Sequence, residues 1–402
     1  MKNALIALMA LITVGSFGYM ALTPSTLVRD SEHVKFNTQD FKTEPINAAE
    51  NEELSQTNRS VASALGDKEL FAMKQNNLYG FIDKSGQYMI EPTYSEISEN
   101  FSEGLARVKI GNTYGYILET GEIAIRSKFI DASQKFSEGL AYARVQHLYG
   151  YINKEGSVVI DFKYDKALDF SQGLAPVKIN GKWGFIDKKN KMVINNRFNE
   201  ARSFSEDLAS VKIANKWGYI NKSGDVVIEP QFGQGGNFLK NLALVKVGDE
   251  WAFIDRAGNY INSDTYKAAM EYTEDLAPVS NGKQWGYIDR SGKAVIKATY
   301  DYAGDFSEGL AAVRVHNKWG YIDKAGKMVI QPQFNIAEHF SEGFAVVQIT
   351  DKKGYIDKTG KYFIAPKYSD AKAFSGGVAQ VDLGNRIGYI DRNGKYIVEP
   401  EI

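Results

Sequence analysis

Residues 174–207 read LAPVKINGKWGFIDKKNKMVINNRFNEARSFSED, and the fold of the 402-residue chain can be worked out from this stretch. Leu174 to Ile179 is a short apolar run with alternation, which predicts a β-strand. Asn180-Gly181 predicts a tight hairpin, because both central residues of a type I′ turn need positive φ. Trp183 to Ile186 then returns as a second strand, and Met192 to Ile194 forms the third. The stretch therefore predicts a three-stranded antiparallel meander.

The turn between the second and third strands most often reads Asp-Lys-x-Gly, as at Asp323 to Gly326. An aspartate can cap such a turn, and glycine takes the left-handed conformation without strain. Because this aspartate keeps its place three residues before a glycine in most copies, we interpret it as a turn cap and not as a calcium ligand or catalytic carboxylate. Proline follows many third strands, and we expect it to end them because it cannot donate to a ladder. The prolines at this position are Pro92, Pro230, Pro332, Pro366 and Pro400.

An aromatic residue followed by glycine recurs along the chain at spacings of 35, 35 and then 34 seven times. A Phe-Ser-Glu-Gly-Leu-Ala segment, as at Phe306 to Ala311, connects each third strand to the next unit. A unit of about 34 residues cannot bury its apolar face alone, so neighbouring units must stack. Gly184 has no side chain, and we expect a neighbouring aromatic ring or backbone to approach it closely. The aromatic positions are Tyr79, Tyr114, Tyr149, Trp183, Trp217, Trp251, Trp285 and Trp319, and the last two copies keep only Gly354 and Gly388.

The periodicity predicts an all-β fold in which residues 67–402 form ten tandem three-stranded meanders of about 34 residues. Two features favour an open superhelical, solenoid-like array over a β-propeller-like closure. Ten units exceed the usual range of roughly four to eight propeller blades. Whole units also stand at both ends, from the first strand at Glu69 to Lys74 to the last at Tyr396 to Val398. We therefore predict the open array and keep closure as the alternative.

Lys318 to Val347 reads KWGYIDKAGKMVIQPQFNIAEHFSEGFAVV, and in this pattern the chain resembles the WG-repeat family over about residues 69–402. The resemblance implies a bacterial, repeat-built interaction module, often exported, without one agreed activity. It supplies no catalytic residues to carry over.

The pattern is broken around repeats five to seven. Ala252 replaces the glycine, Gly233 to Leu239 lacks Phe-Ser-Glu-Gly, and Asn262 to Tyr272 lacks the proline. We expect irregular packing there. Gly233 to Tyr272 is the one candidate for a specialised site, and the irregularity also fits drift in a tolerant array.

The N-terminal residues differ from the repeats in composition. Ala4 to Leu22 is 19 residues without a charge, so residues 1–22 are either a cleavable signal peptide or an uncleaved membrane anchor. Residues 23–66 are polar and lack a sustained period, which predicts a disordered linker. The protein is therefore expected to be exported, either periplasmic or secreted, or held at the inner membrane by residues 4–22.

Composition excludes several kinds of chemistry. A net charge of -1 gives no general attraction to nucleic acid. Because the chain has no cysteine, it cannot form disulfides, thiolate nucleophiles or cysteine metal sites. His33, His147, His316 and His339 occupy unrelated positions in the linker and the repeats, whereas a metal site needs clustered ligands. We therefore predict no catalytic, cofactor or metal site, and no enzymatic activity.

Five tryptophans are candidate binding residues, and they allow two interpretations. They either pack between repeats or form an exposed ladder that stacks on sugar rings or on a peptide. Our first hypothesis is a non-enzymatic scaffold of the bacterial cell envelope that binds a protein partner, because repeat arrays present extended surfaces. The alternative is a glycan- or peptidoglycan-binding module that uses the ladder. The candidate residues are Trp183, Trp217, Trp251, Trp285 and Trp319.

Overall fold

The computed structural model describes residues 69–384 and 386–400. These residues belong to one compact unit, Val61–Ile402, and form 38 strands joined by turns in ten small antiparallel sheets. The all-β prediction is therefore confirmed. In this part of the chain no helix has the length and apolar character needed to span a bilayer. The predicted N-terminal segment, residues 1–22, and linker, residues 23–66, lie outside the described residues.

Each sheet is a blade, and in nine of the ten the described strands come from two successive repeats. A short connector strand from the end of one repeat pairs with the first strand of the next, as Lys166–Ala167 pairs with Leu174–Ile179. Lys182–Asp187 and Met192–Phe198 complete this four-stranded blade. The predicted three-stranded meander is therefore incomplete. The sequence pattern misses the connector strand because most copies are two residues long, too short to show a period.

The strand bounds follow the chain. Blade one holds Phe71–Gln75, Leu78–Ile82 and Tyr88–Tyr94, and blade two holds Glu96–Ile97, Leu105–Ile110, Thr113–Leu118 and Ile123–Phe129. Blade three holds Asp131–Ala132, Ala141–Val145, Leu148–Ile152 and Val158–Tyr164, blade four is given above, and blade five holds Glu200–Ala201, Ala209–Ile213, Lys216–Ile220 and Val226–Phe232. Blade six holds Gln234–Gly235, Leu242–Val247 and Glu250–Asp255, and blade seven holds Ala268–Ala269, Leu276–Ser280, Trp285–Asp289 and Ala294–Tyr300. Blade eight holds Tyr302–Ser307, Leu310–Val315, Lys318–Asp323 and Met328–Phe334, blade nine holds Ile336–Ser341, Phe344–Ile349, Lys352–Asp357 and Tyr362–Tyr368, and blade ten holds Asp370–Ala371, Val378–Asp382, Ile387–Asp391 and Tyr396–Val398.

The tight turns are as predicted. Asn180 and Gly181 have φ values of 49° and 78°, which fits a type I′ hairpin. The Asp187 carboxylate caps the next turn, because its Oδ1 accepts the backbone N–H groups of Lys189 and Lys191 at 2.9 and 2.8 Å. The local turn chemistry can therefore be derived from residue types alone.

The third strand does not end at its proline. Val226–Phe232 runs through Pro230, so the prediction that proline ends this strand is wrong. Proline is tolerated because the third strand is an edge strand, which needs donors on one side only, and because it bulges. Trp217 pairs with Phe232, whereas Tyr219, only two residues later, pairs with Ile228.

The bulge explains the glycine of the aromatic–Gly pair. A Cβ atom on Gly218 would lie 2.5 Å from the Ile228 carbonyl oxygen and 2.7 Å from the Pro230 nitrogen. The predicted close approach to this glycine is confirmed, and the group that approaches it is backbone. Its partner is the third strand of the same blade.

Blade six departs from this pattern where the sequence does. Ala252 replaces the glycine, and the segment after it pairs with the second strand only through isolated bridges, between Trp251 and Tyr266 and between Ile254 and Tyr260. The Ala252 Cβ takes space over which the third strand crosses in other blades. The expected irregularity around repeats five to seven is therefore present and has a steric cause.

Consecutive blades share their hydrophobic cores. Phe185 and Phe198 of blade four pack with Val211 and Ile220 of blade five in one cluster, and all four side chains are buried. The second-strand isoleucine of each blade thus faces the preceding blade. Burial of apolar side chains between sheets is the main stabilising term in such stacking.

The first and last blades repeat this contact, so the ten blades form a closed ring. Met73 and Ile82 of blade one pack with Val378 and Tyr389 of blade ten in a buried cluster. The Lys74 backbone N–H also donates to the Tyr389 hydroxyl at 2.9 Å. We call this junction the seam.

The prediction of an open superhelical array is therefore wrong, and the propeller-like alternative is correct. The prediction relied on whole units at both ends of the array. Such units can still close a ring, because the first and last blades can pack through their side chains without sharing a blade. Propellers usually have roughly four to eight blades, but this range reflects how often each number occurs and sets no steric upper limit.

Candidate functional site

The five tryptophans begin the second strands and divide into two groups. Trp183 and Trp217 are buried, with 8% and 6% of their surface exposed. Trp251, Trp285 and Trp319 are partly exposed. Packing between repeats therefore describes Trp183 and Trp217 best, whereas the other three tryptophans keep some accessible surface.

Cations or aromatic rings lie near four of these indoles, those of Trp217, Trp251, Trp285 and Trp319. The Arg202 guanidinium lies 5.4 Å from the Trp217 ring centroid, and the Arg314 guanidinium lies 5.9 Å from that of Trp319. The ring of Tyr302 lies between Trp285 and Trp319, with centroid separations of 5.0 and 5.5 Å. Such contacts fix the indoles at the blade surface. They bring neighbouring aromatic rings together only at Trp285 and Trp319.

The Phe-Ser-Glu-Gly-Leu segment, predicted to be a simple connection, is a two-residue hairpin. Ser102 and Leu105 exchange backbone hydrogen bonds of 2.8 and 3.1 Å, and Glu103 and Gly104 have φ values of 53° and 83°. A left-handed conformation is uncommon for glutamate. A second set of contacts must therefore hold it.

Those contacts come from the following blade. The Glu308 carboxylate accepts the Gly343 backbone N–H at 3.0 Å and pairs with the Lys358 ammonium at 3.1 Å. Ser307 Oγ donates to the Phe340 carbonyl at 2.8 Å. We call this set the clamp. Its glutamates that bond the next blade's glycine N–H are Glu103, Glu138, Glu274, Glu308 and Glu342, and Gln172 and Glu206 bond the corresponding Asp207 and Asn241 N–H groups.

The clamp sets the ionisation of its carboxylates. Burial of Glu308 opposes ionisation, but the hydrogen bonds from Lys358 and Gly343 outweigh it and hold the pKa below the ordinary value of 4.5. Glu103, Glu138 and Glu274 show the same balance. A lowered folded-state pKa means stability that is present above the ordinary carboxyl range and lost as pH falls through the folded value.

We expect the four substitutions Glu103→Gln, Glu138→Gln, Glu274→Gln and Glu308→Gln together to flatten the fall in melting temperature below about pH 4.5. At pH 7 the variant should fold, because Gln172 already fills the clamp and accepts the Asp207 N–H at 2.9 Å. The measurement is thermal melting from pH 3 to pH 7. The control makes the same change at four exposed glutamates, and an equally flattened control would contradict the assignment. The control positions are Glu91, Glu155, Glu229 and Glu399.

Three connector carboxyls behave in the opposite way. Burial raises the pKa of Asp169, Glu271 and Asp305, with Ser133 Oγ donating to Asp169 at 2.6 Å. Their ionisation therefore opposes folding as pH rises through the raised values. Among the described residues no three His, Asp or Glu side chains form a group able to hold a metal ion.

The histidines are scattered. His147 and His316 lie exposed in hairpin turns of blades three and eight, and His339 is exposed on a connector strand. His33 lies outside the described residues. The structure brings none of the three described histidines into one site.

The third strands carry a repeated apolar surface that the sequence reasoning missed. Their second residue is a valine in blades three, four, five, seven and eight, and each is between 39% and 45% exposed. The strand alternation that buries the next residue, such as Ile194 at 3% exposed, turns these valines outward. We call this set the valine belt. Its members are Val159, Val193, Val227, Val295 and Val329.

The seam contains a cleft of about 420 Å³. Phe71 and Met73 line it from blade one, and Val378 and Tyr389 line it from blade ten. Burial raises the pKa of Tyr389 to about 12, so its hydroxyl keeps its proton.

Solved structures resemble the chain at low identity. A crystal structure of the eukaryotic initiation factor matches with a TM-score of 0.51 and 12% identity over 83% of this chain and 97% of that chain. Hsv2p of Kluyveromyces lactis matches at 0.32 and 11%, over 56% of this chain and 92% of its own. PorZ, a bacterial surface component of the type-IX secretion system of Porphyromonas gingivalis, matches at 0.29 and 10%, over 77% and 52%. The first match shows a similarity of fold alone.

No curated protein matches this chain in sequence. The family model described as WG containing repeat matches eight segments, which together cover more than half of the chain, with gaps at 115–148 and 252–284. The second gap begins at Ala252, where the blade pattern also fails. The matched segments are 79–114, 149–183, 183–217, 217–251, 285–319, 319–352, 354–386 and 387–402. The chain therefore belongs to the WG containing repeat family.

Proposed function

We propose that the ring is a non-enzymatic scaffold of the bacterial cell envelope that binds a protein partner through the valine belt. The observation that carries the proposal is the exposure of one valine at the same strand position in five blades. A solvent-facing strand surface is usually polar, so a repeated apolar position there needs a reason.

The clamp supports the same proposal. Its carboxylates are engaged in hydrogen bonds between blades, as in the contact of Glu138 with Gly173 at 3.1 Å. These repeated carboxylates thus hold neighbouring blades together. A closed ring holds the valines in fixed positions, and rigid presentation lowers the entropic cost of binding.

The test is capture of envelope proteins by the full-length chain and by a variant with all five belt valines changed to threonine. Threonine keeps the β-branched shape and removes the apolar surface. We expect the belt variant to retain at least about tenfold less partner than the unchanged chain, which corresponds to about 1.4 kcal/mol of binding free energy. The two chains should have the same melting temperature. The control changes Leu78, Ile110 and Leu239, which are exposed elsewhere, to threonine. Equal retention by the belt variant would reject the proposed surface.

A glycan-binding ladder is the second candidate, and the partial exposure of Trp251, Trp285 and Trp319 favours it. Trp285 and Trp319 flank Tyr302 in one aromatic row. The same capture experiment separates the two functions. Retention of purified wall material that is lost in a Trp285→Ala, Trp319→Ala variant would support the ladder.

A further inference from the structure

The valine belt is not equivalent around the ring, because three consecutive blades carry a cation beside it. The residue four positions after the belt position is Lys128 in blade two, Lys163 in blade three and Arg197 in blade four. We call these three third strands the basic sector. Blade nine also has a cation there, Lys367, but no valine at the belt position. In four other blades the residue is uncharged: Thr93, Gln231, Thr299 and Gln333.

The three cations take the same position in their blades, and the blades of the sector touch. Each cation lies over the aromatic ring of the next residue. The distances to the ring centroid are 5.4 Å from Lys128 Nζ to Phe129, 5.4 Å from Lys163 Nζ to Tyr164 and 5.1 Å from the Arg197 guanidinium to Phe198. The rings of Phe129 and Phe162 lie 6.3 Å apart, and the Tyr164 hydroxyl donates to Asn190 Oδ1 of blade four. The basic sector is therefore one continuous surface.

Its cations are not balanced by carboxylates. Among the described residues none of Lys128, Lys163 and Arg197 forms an ion pair, whereas Lys212 of blade five pairs with Glu200 at 2.7 Å. Burial lowers the pKa of Lys128, because no neighbouring negative charge offsets its partial loss of hydration. The outward face of the three strands carries one carboxylate, Asp161, against four cations: Arg126, Lys128, Lys163 and Arg197. A partner with negative charge would therefore be attracted here.

The strand edges of the sector are apolar and lack proline. Ile123 of blade two is 53% exposed, and the two neighbouring valines Val158 and Val159 of blade three are 37% and 45% exposed. Third strands lie at the edge of their sheets, and a proline in such an edge discourages pairing with an added strand. The ladder of a blade needs no N–H at the proline position, so Ser127 and Phe162 each keep a donor that their blade does not require. The third strands that do run through a proline contain Pro92, Pro230, Pro332 and Pro366.

We propose that the basic sector binds an extended, acidic segment of the protein partner, which adds as a strand to a third-strand edge in blades two to four. Residues four apart on a strand share one face. In blade three an apolar side chain of the segment therefore lies beside Val159 while a carboxylate lies beside Lys163, as cross-strand neighbours. This inference rests on the proposed function, because it names the chemistry of the partner at the valine belt.

The test measures binding of two labelled, end-blocked peptides to the full-length chain by fluorescence anisotropy. Glu-Thr-Val-Thr-Val-Thr-Val-Thr-Glu presents its valines and glutamates on one face of a strand. Thr-Glu-Val-Thr-Val-Thr-Val-Glu-Thr has the same composition but places the glutamates on the opposite face. The test variant combines Lys128→Gln, Lys163→Gln and Arg197→Gln, which should fold because glutamine is the native residue at Gln231 and Gln333. The matched control variant removes three exposed cations beside the belt in blades seven and eight: Lys293→Gln, Lys297→Gln and Lys327→Gln.

We expect the first peptide to bind the unchanged chain and the control variant equally, and the test variant at least about tenfold more weakly. Its affinity should fall as salt is raised, and the second peptide should bind at least about tenfold more weakly than the first. No binding of the first peptide, equal binding by the test variant, or equal binding of the second peptide would overturn the inference. The proposed function is decided separately by the variant with all five belt valines changed to threonine. Loss of the captured partner in that variant, beside unchanged capture by the Lys128/Lys163/Arg197 variant, keeps the belt and rejects the acidic segment.

Discussion

Gly218→Val is expected to unfold the ring or cost it about 3 kcal/mol or more, at the upper end for overpacked sites. The side chain would meet backbone: its Cβ would lie 2.5 Å from the Ile228 carbonyl oxygen and 2.9 Å from the Pro230 Cα. Neither atom can move without detaching the third strand from Trp217 and Tyr219, its partners in the ladder. Urea unfolding of the wild-type and variant chains measures the loss.

Two further variants separate this steric effect from a general intolerance of the blade. Gly218→Ala should also destabilise, whereas Gly233→Ala, in the same region, should change stability by less than about 0.5 kcal/mol. A Cβ on Gly233 would have its nearest contact at 3.5 Å, an ordinary distance. Ala252 is the natural counterpart, since its blade keeps only isolated bridges to the third segment. Equal effects at Gly218 and Gly233 would contradict the explanation.

The repeat, its turns and its glycine could be predicted because each depends on residues close in sequence. The Asn180-Gly181 hairpin and the Asp187 cap are local, and the need for space at Gly184 follows from its lack of a side chain. The connector strand could not be predicted, since Lys166–Ala167 is two residues long and is held by the first strand of the next repeat. The left-handed backbone conformation of the clamp glutamates could not be predicted either, because contacts from the next blade stabilise it.

Closure depended on contacts between residues far apart in the chain. One signal was present: Gly376 replaces the clamp glutamate in the last repeat. A Cβ there would clash with the Phe71 ring and the Glu69 carboxylate, and Glu69 takes over the pairing with the Lys84 ammonium at 2.9 Å. The substitution makes sense only when blade one is placed against blade ten. Repeat counting alone could not supply that arrangement.

Among the candidate site residues, the sequence named the tryptophans but could not rank them by exposure. Their burial depends on residues that are not adjacent in sequence, such as Arg202, which follows the connector strand of blade five and lies against the Trp217 ring. The valine belt escaped notice because an exposed valine and a buried isoleucine look alike in an apolar run such as Met192 to Ile194. Only the register of the third strand separates the two faces.

Ile82→Ala is expected to destabilise the protein by about 3 kcal/mol, the usual range for emptying a buried isoleucine site. Ile82 is 0% exposed, and its cluster includes Val378 and Tyr389 from the other end of the chain. The matched control is Ile186→Ala, at the same repeat position between blades three and four and also 0% exposed.

The comparison of these two variants measures ring closure in solution. In a closed ring both isoleucines pack on a preceding blade, so the two urea midpoints should fall by similar amounts. In an open array Ile82 would face solvent, and its replacement would cost less than about 1 kcal/mol while Ile186→Ala kept its full effect. Tyr389→Phe adds a finer test, because it removes only the hydroxyl that accepts the Lys74 N–H at 2.9 Å. A single hydrogen bond of this kind is worth about 1 kcal/mol, so a closed ring requires a small loss in that variant and a large one in Ile82→Ala.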